Sequence, residues 1–86
     1  MFVHIGGEVV VALRDLVAII DVASMEKSPL NAQSIQLWSE RGSLQRVMDG
    51  QVNSWVITTN KVYASPISAT TLRKRADDFV KTLTSL

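Results

Sequence analysis

Short apolar runs broken by glycine and charge open the chain, with Phe2-Val3-His4-Ile5 and Glu8-Val9-Val10-Val11 flanking Gly6-Gly7. Two β-prone runs around a pair of residues that accept positive φ predict a β-hairpin. The run from Leu16 to Val22 is β-branched and almost wholly apolar. It predicts a third strand covered on both faces, entered through a bend at Arg14-Asp15. Residues 23–27 read as a loop. Ser28-Pro29 then offers an N-cap followed by proline at the first helical position, where the missing N–H is not needed. A helix is expected over about 29–41, with Leu30, Ile35, Leu37 and Trp38 on its apolar side and Gly42 as a left-handed stop.

Beyond Ser43 the period shortens to that of strands. Leu44-Gln45-Arg46-Val47-Met48 and the run from Gln51 to Thr58 flank Asp49-Gly50, and Thr59-Asn60-Lys61 turns the chain into Val62-Tyr63-Ala64. Asp-Gly between β-prone runs is a strong hairpin signal, so these three runs are expected to form a meander. Ser68 is placed to cap a last helix over about 68–83, where Leu72, Ala76, Phe79, Val80 and Leu83 recur at helical spacing. The expected fold is α+β: a small, mostly antiparallel sheet, made of an N-terminal hairpin plus strand and then a three-stranded meander, with two helices.

With 86 residues, splitting the chain would leave halves too small to bury a core, so residues 1–86 are read as a single domain. Apolar residues make up 47% of it against 20% charged, which excludes the disordered class. The absence of cysteine removes disulfides and thiolate metal sites, and a small domain without such staples often completes its stability by oligomerising. A cytoplasmic homo-oligomer is expected. No basic segment precedes an apolar one at the N-terminus, and Arg14-Asp15 divides the longest apolar runs, so neither export nor membrane spanning is expected. The formal net charge of +1 carries no message about nucleic acid, and any basic surface must be local.

Candidate chemistry is sparse. His4 is the sole histidine, too few nitrogen ligands for a metal centre, and no strained glycine elbow presents a serine to it. Gly6-Gly7 lacks the lysine and the following helix of a phosphate loop. No catalytic residue, metal or cofactor is expected, and the chain reads as a non-enzyme. Arg73-Lys74-Arg75 is the densest basic cluster, but Asp77 and Asp78 follow at helical spacing, so mutual pairing on a solvated face accounts for most of it. Arg14, Arg46 and Lys61 are better placed for recognition, each at a strand end or turn among apolar neighbours. Trp38 and Trp55 read as core or subunit-interface anchors rather than base-stacking platforms.

Three stretches carry a resemblance to a known family: Phe2-Val3-His4-Ile5-Gly6, then Val10-Val11-Ala12-Leu13-Arg14-Asp15 leading to Ile19, and Val62-Tyr63-Ala64-Ser65-Pro66-Ile67-Ser68 followed by Thr71-Leu72-Arg73-Lys74-Arg75-Ala76. Together the chain resembles the RemA/RemB-like family of extracellular matrix regulatory proteins, over most of its length. The resemblance implies a transcriptional regulator of matrix and biofilm genes that forms an oligomeric ring and presents basic residues to double-stranded DNA. It also implies an arginine after the second strand, matched by Arg14, and paired arginines after the glycine of the central hairpin, where this chain has Gln51-Val52. Arg14, Arg46, Gln51 and Asn53 are therefore the expected DNA-contacting residues, with Gln51 and Asn53 able to bond phosphates or base edges. Losing two cations per subunit also leaves open a second function, an assembly or protein-interaction module that keeps the fold without the DNA surface.

Overall fold

The computed structural model describes residues 1–25 and 29–84, with side chains over 1–24 and 33–78. Strands β1 (Phe2–Gly6) and β2 (Val9–Ala12) form the opening hairpin, and a 3-10 turn (Leu13–Asp15) leads into β3 (Leu16–Asp21). A helical turn, α1 (Val22–Met25), and helix α2 (Pro29–Glu40) follow, then β4 (Leu44–Arg46), β5 (Ser54–Thr58), β6 (Val62–Ser65) and helix α3 (Ala69–Thr84). The fold is α+β with mostly antiparallel strands, as the alternation of the sequence implied.

The hairpin stands apart as its own two-stranded sheet, with Phe2 opposite Ala12, Val3 opposite Val11 and His4 opposite Val10. Period-two alternation buries Val3, Ile5 and Val11 on one face and leaves Phe2, His4 and Val10 on the other. Gly6 sits at the irregular step of the ladder with φ +120, and a Cβ there would lie 3.0 Å from Pro66 Cδ. Only glycine allows this backbone conformation and this approach together.

The second sheet has four strands in the order β3-β5-β6-β4. This corrects the expected meander. The turn at residues 59–61 does pair β5 with β6, but β4 does not pair with β5 across Asp49-Gly50; it runs parallel to β6, with Leu44 opposite Val62 and Arg46 opposite Ala64. Both edges of β5 are already taken, by β3 and β6, so β4 cannot pair with it and joins at the outer edge of β6. Residues 47–53 then cross the end of the sheet as an irregular loop, and the local Asp-Gly preference yields to tertiary pairing.

The core lies between the hairpin, the larger sheet and α3, around Val3, Ile5, Val11, Val56 and Leu72. Burying each such side chain contributes roughly 1.5–3 kcal/mol. Ser65 ties the two sheets together, since its buried hydroxyl donates to the Ile5 carbonyl at 2.6 Å and accepts from Ile67 N–H at 3.1 Å.

Helix α3 starts where Ser68 predicted: its Oγ accepts from the Thr71 N–H at 3.2 Å. Helix α2 stops at Gly42, φ +70, with the Gly42 and Ser43 N–H groups donating back to Ser39 and Trp38 carbonyls. Three local expectations change. β3 is an edge strand with Val17 64% exposed, so it is not covered on both faces. The loop at 23–27 begins as the helical turn α1, where Asp21 Oδ1 accepts from Ala23 N–H at 2.8 Å. Leu37 is exposed, because Ile35 and Trp38, three apart, share the half-buried face and Leu37 lies well round the helix from Ile35. The Ser28 cap and the side chains of Leu30, Phe79, Val80 and Leu83 fall outside what is described.

Candidate nucleic-acid interface

Arg14 occupies the middle of the 3-10 turn between β2 and β3. Main-chain bonds hold that turn from both sides: Leu13 N–H to the Met1 carbonyl at 2.9 Å, and Thr59 N–H to the Asp15 carbonyl at 3.0 Å. The Arg14 side chain is exposed and borders an open, mostly apolar groove of ≈ 450 Å³ with Met1, Phe2, Ala12 and Leu13. A rigid turn thus presents a cation beside an apolar surface.

The other three expected contacts lie at the far end of the sheet. Leu16 pairs with Thr58 near Arg14, whereas Asp21 pairs with Ser54 next to Asn53. The length of β5 separates the two ends, about 17 Å at strand rise. Arg46 closes β4 and its Nη1 donates to the Gly50 carbonyl at 3.2 Å, so the side chain braces the loop in which Gln51 is exposed. Asn53 is held three ways: its N–H donates to the Ser65 carbonyl at 2.9 Å, its carbonyl accepts from Val22 N–H at 3.2 Å, and its Nδ2 donates to the Pro66 carbonyl at 2.7 Å. Within one chain Arg46 and Gln51 come together, and Arg14 does not join them.

Charge divides along the same axis. The end holding Arg46 also holds Asp21, Asp49 and, in the hairpin turn, Glu8. The end holding Arg14 gathers Lys61 from the β5–β6 turn and Arg41 from the turn before β4, with Asp15, Glu40 and, on α3 beside Leu16, Asp77 as its acids. Lys61 Nζ donates to Gln45 Oε1 at 3.1 Å, a bond to a neutral group that leaves its charge intact. Arg41 escaped the sequence reading because it looked like no more than a helix end; only the parallel placement of β4 brings it alongside Lys61.

Two members of the basic triplet bond to strands, while Lys74 is exposed on α3. Arg73 Nη2 donates to the Ile19 carbonyl at 2.7 Å and Arg75 Nη1 to the His4 carbonyl at 2.9 Å. His4 is an exposed strand residue whose Nε2 bonds the Gly7 carbonyl at 2.8 Å. Trp38 and Trp55 are both half-buried, and the Trp55 Nε1 atom is buried without a hydrogen-bond partner among the described residues. Among the described residues no three His, Asp or Glu side chains gather as a metal site, and no helix is long and apolar enough to cross a membrane.

Comparison with known proteins supplies the context for this geometry. The family description "RemA-like: Extracellular matrix regulatory protein A-like" matches residues 2–76. Extracellular matrix regulatory protein B of Bacillus subtilis (strain 168) is 33% identical over 76 residues, covering 88% of this chain and 90% of that protein. The hairpin, the Arg14 turn, the four-stranded sheet and the first half of α3 all fall inside the match, and the chain belongs to the RemA-like family of extracellular matrix regulatory proteins.

Proposed function

We propose that the chain is a cytoplasmic, homo-oligomeric regulator that binds double-stranded DNA and controls extracellular matrix and biofilm genes. The observation that carries this reading is family membership across residues 2–76, combined with an exposed Arg14 on a braced turn at the position where the resemblance puts a DNA-contacting arginine. Self-association is supported by the outer face of the hairpin. Phe2 and Val10, diagonal neighbours there, are 59% and 54% exposed. Apolar side chains grouped in this way favour a protein contact. Repetition of Arg14 around an oligomer supplies avidity that one nearly neutral subunit lacks.

The test is fluorescence anisotropy on duplex DNA across a salt series, with the mass of the assembly measured in the same buffer. Binding with a steep negative salt slope by a species larger than a dimer supports the reading, and Arg14→Ala should then remove most of the binding while the mass stays the same.

One observation favours a second reading. Asp49 lies in the loop where Gln51-Val52 stand in place of the arginines that the resemblance implies, Asp21 pairs with Ser54 at its end, and the hairpin turn with Glu8 packs against Val47 and Met48 at its start. An oligomer that forms normally yet binds no duplex at low salt would make the chain an assembly module.

A further inference from the structure

We infer that the phosphate-contacting surface of this chain is the end of the four-stranded sheet that carries Arg14, Lys61 and Arg41, and not the loop at residues 49–53; this rests on the DNA-binding reading above. Strand order places the three cations. Arg14 precedes β3, Lys61 lies between β5 and β6, and Arg41 precedes β4, so they span the sheet from one edge to the other. The Thr59 N–H to Asp15 carbonyl bond and the Val62 N–H to Ser43 carbonyl bond, 3.0 and 2.9 Å, hold the flanking turns level with one another. Four strands at about 4.8 Å set the outer two about 14 Å apart. That span is comparable with the major groove, about 12 Å wide, so Arg14 and Arg41 would meet phosphates on opposite groove walls with the 59–61 turn between them.

The described arginines point the same way. Arg73 and Arg75 are committed to strand carbonyls, and Arg46 is tied to Gly50 in a loop that includes Asp49. Arg14 and Arg41 are exposed, and no hydrogen bond or ion pair engages either guanidinium among the described residues. Asp15, Glu40 and, on α3 beside Leu16, Asp77 balance the three cations of the Arg14 end, whereas Glu8, Asp21 and Asp49 against Arg46 leave the other end at a formal −2. A polyanion meets three cations at the first end and net repulsion at the second.

Two pairs of full-length variants decide it, read by anisotropy on a fluorescein-labelled duplex over a salt series, with circular dichroism and mass as controls. Removing charge, Arg41→Gln with Lys61→Gln should weaken binding at least about tenfold and flatten the salt slope, whereas Arg46→Gln should leave the slope unchanged. Adding charge, Thr59→Lys should steepen the slope by about one per contacting subunit, and Gln51→Lys should not. Thr59 is exposed and contributes a main-chain bond that the substitution keeps, so this variant tests the surface even if the double variant folds poorly. Wild-type binding combined with an unchanged slope in the double variant, or a stronger gain from Gln51→Lys than from Thr59→Lys, overturns the inference and leaves DNA binding standing. Failure of the wild type to bind at low salt overturns the DNA reading itself.

Discussion

Arg73 and Arg75, two positions apart on α3, reach in opposite directions, Arg73 to the Ile19 carbonyl of β3 and Arg75 to the His4 carbonyl of β1. At 3.6 residues per turn they flank the stripe of Leu72 and Ala76 about symmetrically, so one helix straddles two separate sheets. Each arginine also occupies a carbonyl on a strand edge that would otherwise be open to another chain.

These bonds are solvent-exposed, and a charge-assisted bond in that setting is worth less than a buried one. Arg73→Ala and Arg75→Ala should each lower stability in urea titrations by about 1 kcal/mol, and Lys74→Ala by less than about 0.5 kcal/mol. Equal, near-zero effects from all three would show that the clamps do not hold α3.

Ser65 offers a sharper loss. Removing its hydroxyl leaves the Ile5 carbonyl without its partner inside the core. Ser65→Ala should cost about 1–3 kcal/mol in denaturant unfolding, with Ser68→Ala, a helix-cap change, costing about 1 kcal/mol.

Glycine positions should separate by their surroundings. Gly6→Ala meets both an unfavourable φ and Pro66 at 3.0 Å, whereas Gly42→Ala has open space and only the backbone penalty. We expect about 1–2 kcal/mol for Gly42→Ala and a clearly larger loss for Gly6→Ala in thermal or chemical melts.

Asn53 and Gln51 were both expected to touch DNA, but they differ in what they do within the fold. Asn53→Ala removes the donor to the Pro66 carbonyl and should destabilise the chain by about 1 kcal/mol; Gln51→Ala should not change the melting temperature. A stable Asn53→Ala protein would free that side chain for a role outside the fold.

The exposed hairpin face can be tested by mass. Phe2→Ser with Val10→Ser should lower the assembly mass measured by light scattering while the far-ultraviolet circular dichroism stays the same, because both side chains point away from the core. An unchanged mass would move the subunit contact elsewhere on the chain.

Local chemistry was legible in the sequence. The positive φ of Gly6 and Gly7, the Gly42 stop and the Ser68 cap depend on residues only a few positions apart, and the structure contains all of them, with the hairpin turn itself shifted by one residue to Gly7-Glu8. Membership of the family was likewise legible, from the segments around His4, Arg14 and Pro66. Tertiary structure alone decided that β4 joins β6 in parallel, that the hairpin forms a sheet of its own, and that the exposed Arg73 and Arg75 bond strand carbonyls. It also decided which charges share an end of the sheet, setting Arg14 at the same end as Lys61 and Arg41 and away from Asn53. Strand pairing is a competition among edges distant in sequence, so a local signal such as Asp49-Gly50 can propose a partner, but the winner depends on which edges the rest of the chain leaves free.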